Sequence, residues 1–103
     1  MDSQASIEQQ IAGEKAAALG RSGRKLMIAL DNLRRFDEIA RRGGRILDPA
    51  RRAALVEIAG DALWSYIVQR EAMGLIDSEY IVREYAVPWE VRREMRPRLR
   101  AAG

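Results

Sequence analysis

Between Leu19 and Ala40 an apolar residue returns every seven positions, at Leu19, Leu26, Leu33 and Ala40, with Ala29 and Phe36 in the intermediate places. That spacing is the seam of an α-helix packed on other helices, and it does not fit a strand, whose side chains alternate faces at every residue. The surrounding segment, Gln4 to Arg42, is rich in the helix formers Ala, Leu, Glu, Gln and Arg. Its weak point is Gly20-Arg21-Ser22-Gly23, since each glycine costs a helix interior roughly 1 kcal/mol against Ala. Leu19 and Leu26 hold the seven-residue phase across this point, which a loop has no reason to do. One long helix is therefore expected, ending at Arg41, Arg42 and a Gly43 C-cap. On its outer side, Asp31 with Arg35, and Asp37 or Glu38 with Arg41 or Arg42, are spaced for helical ion pairs.

The second strong feature is the stretch DPARRAALVEIAGDALWSYIVQREAMG, from Asp48 to Gly74. Asp48 suits an N-cap, Pro49 the first helical position, and Gly74 the left-handed turn after the helix. Ile46 or Leu47 is placed to staple the first turn. A central helix over 48–73 is expected, with Leu55, Ala59, Ala62, Leu63, Tyr66 and Met73 on one face. Trp64 and Val68 fall on nearly the opposite side, so the second half of the helix reads as apolar almost all round. Asp77 or Ser78 then caps a short helix through Tyr85, and Pro88 opens a last one through Trp89, Val91 and Met95. Pro97 ends the pattern, leaving 96–103 as a loose basic tail. The expected architecture is a single all-α domain of three to four helices over 1–103: a long N-terminal helix, the central helix and a short C-terminal pair.

Composition narrows function mainly by exclusion. The 103 residues include no cysteine and no histidine. Disulfides, thiolate chemistry and the commonest general base and metal ligand are thereby removed. No catalytic residue, metal site or cofactor is expected, because the carboxylate pair Asp37-Glu38 lies among arginines on a face read as exposed. Met27, Met73 and Met95 read as core fillers. The opening residues are polar and acidic, unlike a signal peptide, and no apolar run approaches a membrane span, so a cytoplasmic protein is expected. Arginine far outnumbers lysine, as in proteins from GC-rich bacterial genomes.

Three clusters are candidate sites. Arg70 falls near the middle of the apolar face of the central helix, where an unpartnered guanidinium would be costly, so a buried ion pair or small pocket with Asp77 and Glu84 is expected. Ile7, Ile11, Trp64 and Val68 lack an evident partner within the chain, and a two-fold, antiparallel homodimer would cover them. The stretch from Tyr80 to Arg96 has a helix, an Ala86-Val87-Pro88 turn and a second helix carrying Arg92, Arg93 and Arg96, a helix-turn-helix-like arrangement for nucleic acid. Against the last, Ala86 and Val91 stand closer than the DNA-binding pattern sets them, and Glu90 and Glu94 dilute the charge. The leading expectation is a non-enzymatic oligomeric or adaptor protein acting through helical surfaces on an unidentified protein partner. Nucleic-acid binding is the alternative.

The segments Ala62-Leu63-Trp64, Gln69-Arg70-Glu71-Ala72, Gly74-Leu75 and Arg83-Glu84-Tyr85-Ala86-Val87-Pro88, with Glu14-Lys15-Ala16-Ala17-Ala18-Leu19-Gly20 earlier, resemble a family of short uncharacterised bacterial all-helical proteins. The resemblance implies a helical fold and brings no activity, substrate or cofactor with it.

Overall fold

A computed structural model describes residues 3–44 and 48–95, and among them every regular element is a helix. The order is α1 (Ser3–Gly43), α2 (Pro49–Ala72), α3 (Ser78–Glu84) and α4 (Trp89–Arg93). Ile46, Leu47 and the tail from Arg96 lie outside the described residues. No described helix is long and apolar enough to cross a membrane.

α1 is one unbroken helix of 41 residues, so the seven-residue phase prevails over the two glycines. The reason is visible at Gly23, where a Cβ would sit 3.1 Å from Cε1 of Tyr66. The missing side chain lets the aromatic ring of α2 lie directly on the α1 backbone, and Ser22 is buried beside it. The left-handed residue after α1 is Gly44 (φ 67°), one position later than expected. α2 begins as its sequence reads: the Asp48 carboxylate accepts from the amides of Ala50 and Arg51, and Pro49 follows it. It ends on Gly74 (φ 83°), with the amides of Gly74 and Leu75 returned to the carbonyls of Glu71 and Arg70.

The core is the antiparallel contact of α1 with α2. Leu26, Ala29, Leu30 and Leu33 pack against Val56, Ala59, Leu63, Tyr66 and Ile67, and α3 and α4 add Ile81 and Val91. The buried face of α2 is thus rotated from the expected one: Leu55 and Ala62 only flank the core, and Met73 is exposed. Met27 is exposed as well, and Met95 alone of the three methionines packs against the core. Val68 is exposed and Trp64 half-buried. α4 is laid along the first half of α2, beside Pro49, Arg52, Ala53, Val56 and Gly60.

Two contacts fix α4. A Cβ on Gly60 would lie 2.8 Å from Cβ and 2.9 Å from the carbonyl oxygen of Glu94, so only glycine admits the end of α4 here. Arg52 of α2 then holds α1 and α4 together. Its Nε and Nη2 donate to the Asp37 carboxylate (2.7 and 3.0 Å) and its Nη1 and Nη2 to Glu90 (2.7 and 3.2 Å). Asp37 is therefore turned toward α2 rather than paired along α1, while Glu38 alone takes Arg41 and Arg42. Their guanidiniums, Arg41 first, hold its carboxyl below the ordinary value. The turn from α3 to α4 places Ala86 at φ 50°, a left-handed position for a residue with a Cβ. Arg34 of α1 stabilises that turn by donating to the Tyr85 carbonyl at 2.7 Å.

Gly60→Ala should therefore lower stability by about 1–3 kcal/mol, as α4 must lift or α2 bend. Gly13→Ala is the contrast, since a Cβ there meets nothing within 4 Å and the residue is helical. It should raise helix content, with a gain of up to ~1 kcal/mol. Urea unfolding followed by circular dichroism separates the two.

Candidate functional site

Among the ion-paired side chains of the described residues the most enclosed is Arg70, 16% exposed. It leaves α2 one turn after Tyr66 and meets the loop that leads into α3. Its Nε donates to Asp77 Oδ1 at 3.0 Å and its Nη2 to Oδ2 at 2.5 Å, a two-pronged bond matched to the carboxylate. Nη1 also reaches the Tyr66 hydroxyl at 3.3 Å, and the guanidinium carbon lies 5.5 Å from the Tyr66 ring centre. The Arg70 bond, with a weaker charge effect behind it, holds the Asp77 carboxyl below the ordinary aspartate range against the opposing effect of burial. Asp77 stands at the N-cap of α3 but makes no capping bond, because Arg70 occupies its carboxylate. The structure thus brings Arg70 to Asp77; Glu84 is exposed and lines a neighbouring hollow with Met27, Arg34, Tyr85 and Ala86.

Tyr66 extends the cluster to α3. Its ring meets that of Tyr85 edge-on, centres 5.8 Å apart at 75°. Burial first, then the hydrogen bond with Tyr66, pushes the Tyr85 hydroxyl up from its ordinary value. A phenol so placed keeps its proton at neutral pH. Beside the two rings, against Gly20, Gly23 and Arg24 of α1, lies a shallow hollow of about 330 Å³. Arg70, Asp77, Tyr66 and Tyr85 together clasp α2 to α3 and the loop before it. Sequence reasoning found Arg70 and Asp77 through the misfit of a charge on an apolar stripe. It missed Arg52, Asp37 and Glu90, because each lies on an ordinary polar face and only the packing joins them.

Of the C-terminal arginines, Arg92 and Arg93 are engaged within the chain. Arg92 pairs with Glu79 of α3, and the Arg93 guanidinium lies 4.7 Å from the centre of the Trp89 ring. α4 itself has only five residues. Arg96 lies outside the described residues.

The side of the α1–α2 pair away from α3 and α4 is open and apolar. One hollow of about 620 Å³ is lined by Ile28, Ala29, Ile58 and Ala62 with Lys25 and Asp61 among its polar members. A second, of about 350 Å³, follows along the same pair and is lined by Phe36, Ile39, Leu55, Asn32, Arg35 and Arg51. Ile28, Ile39 and Ile58 are 60%, 59% and 55% exposed. Ile7 and Ile11 are exposed on the free N-terminal part of α1. Trp64 and Val68 stand roughly 120° and 80° around α2 from Ile58 and line neither hollow. Ile7 and Ile11 thus stand on α1, and Trp64 and Val68 on α2.

The two clasps make acid stability predictable. Asp77 and Glu90 both have folded values held below the ordinary ones by their arginines. Between the folded and unfolded values the unfolded chain binds more protons, so stability rises with pH there and falls on acidification below the ordinary carboxylate range of about 3.9–4.3. Asp77→Asn with Glu90→Gln should lower the urea midpoint at pH 7 and flatten its decline between pH 5 and pH 3. Matched urea titrations at those pH values check both effects.

No curated protein and no solved structure matches this chain. A family model does, over residues 2–96, which takes in all four helices and both clasps. The chain belongs to the DUF6665 family, a family of unknown function.

Proposed function

We propose that this chain is a non-enzymatic assembly or adaptor protein that works through helical surfaces, and that it self-associates through the open side of the α1–α2 pair. The observation that carries the reading is the row of exposed isoleucines, Ile28, Ile39 and Ile58, set beside half-buried Phe36, Leu55 and Ala62. Apolar side chains scattered singly need no partner, but a contiguous patch along two helices marks a contact surface. A second set of helices laid on this side would turn a one-sided pair into a bundle with a closed core. The absence of histidine and cysteine from the sequence, with a high-affinity proton on Tyr85, favours contact over catalysis. Nucleic-acid binding ranks behind because Arg92 and Arg93 already engage Glu79 and Trp89.

Ile28→Asp and Ile58→Asp test the reading. Both positions are exposed in the single chain, so helix content by circular dichroism should hold. Sedimentation velocity should show the parent chain as a dimer at low micromolar concentration and each variant as a monomer. A parent chain that stays monomeric to ~100 µM, where association would be worth only about 5 kcal/mol, would sink it.

A further inference from the structure

Resting on that self-association, we infer that the occupant of the open groove is the N-terminal arm of α1 from a second copy, running antiparallel, with Ile7 over Ile39 and Ala18 over Ile28. Residues 6–17 of α1 are exposed without exception. Their helix runs past the end of α2, a length of about 18 Å at 1.5 Å per residue. A helix of this length is marginal in water on its own, and Gly13 with no neighbour within 4 Å makes it weaker. Among the described residues nothing buries it. The groove from Ile28 to Ile39 is about 17 Å long, so the arm and the groove match in length.

They also match in pattern. From Ile7, positions spaced alternately four and three apart run along one face through Ile11, Ala18, Ile28 and Ile39. Glu14, Arg21, Lys25, Asn32 and Arg35 occupy the places between, so this is a mixed stripe, distinct from the seam that α2 fills, with Ile7, Ile11 and Ala18 toward one end and Ile28 and Ile39 toward the other. Antiparallel pairing about a two-fold axis near Gly23 superposes the arm of each copy on the isoleucine half of the other, and each contact occurs twice.

Charge sets the register. Between Ser6 and Glu14 the arm carries Glu8 and Glu14 and no basic residue. The hollow around Ile39 is lined by Arg35 and Arg51 and by no acid, whereas the hollow around Ile28 includes Asp61. The Asp37–Arg52 bond sets Arg51 level with Ile39 across the groove. With Ile7 over Ile39, Glu8 comes over Arg51 and Lys15 comes within a turn of Asp61. Sliding by one heptad would carry Glu8 into the Asp61 half and take the arm off Ile39. The cost of the chosen register is that Arg21 and Lys25 of both copies flank the axis, where their long stems let the charges splay into water.

Because the chain has no cysteine, introduced thiols report alone. Ile7 and Ile39 stand 32 residues apart on one straight helix, roughly 48 Å, so a short bis-maleimide can join them only between chains. In the full-length I7C/I39C chain it should give a covalent dimer at low micromolar concentration. I7C alone and the heptad-shifted pair I11C/I28C should give little. Ile7→Asp with Ile11→Asp should weaken the dimer at least ~tenfold in sedimentation while leaving Leu26, Leu30 and Leu33 untouched. A dimer that links through I7C alone, through I11C/I28C, or at none of these sites would overturn the arm exchange and leave self-association standing. A chain that is monomeric throughout would overturn both.

Discussion

The structure depends on one mismatch of length. α1 has 41 residues and α2 has 24, about 61 and 36 Å of helix, and they share a single antiparallel contact. Leu26, Leu30 and Leu33 from the one and Val56, Ala59 and Leu63 from the other are buried at that contact. Each fully buried side chain of this kind is worth about 1.5–3 kcal/mol, so this stripe supplies most of the driving force. It can do so only over the length the two helices share. The remainder of α1 projects, and a two-helix layer leaves two sides of its seam open unless something else packs on them.

α3 and α4 close only one of the two sides. With seven and five residues they are too short to hold a helical shape unaided, and each is pinned to α2 by an arginine. Arg70 takes Asp77 at the entry to α3, and Arg52 takes Glu90 in α4 while also holding Asp37 of α1. Partly buried ion pairs add little net stability over apolar substitutes, but their planar geometry admits few orientations. Their role here is direction: they choose the flank of α2 on which the C-terminal segment lies. Gly60 permits the choice by letting the backbone of Glu94 reach the helix.

That choice decides which apolar side chains stay in water. With the C-terminal segment on one flank, Ile28, Ile39 and Ile58 are left on the other, and the projecting arm adds Ile7 and Ile11. The family match spans this whole arrangement and carries no function with it. The exposed isoleucines are therefore the feature from which a role can be argued. The proposed exchange of arms between two copies would cover nearly all of them.

Sequence alone determined the helices and their ends. Caps such as Asp48 and Gly74 act within a turn, and a seven-residue phase survives two glycines, so both are legible from neighbouring residues. Arg70 was legible too, since a guanidinium on an apolar stripe demands a partner and Asp77 is one loop away. What only the tertiary structure decided was which face each helix buries. α2 is apolar on more than one side, and its periodicity is served almost equally by Met73 or Ile67, by Val68 or Val56. The Arg52–Asp37–Glu90 clasp and the Gly60 contact break that tie across tens of residues, between groups that look like ordinary solvated polar positions in the chain. Local order is written in short-range sterics and hydrogen bonds, whereas the choice among apolar faces is a long-range competition for the same buried surface.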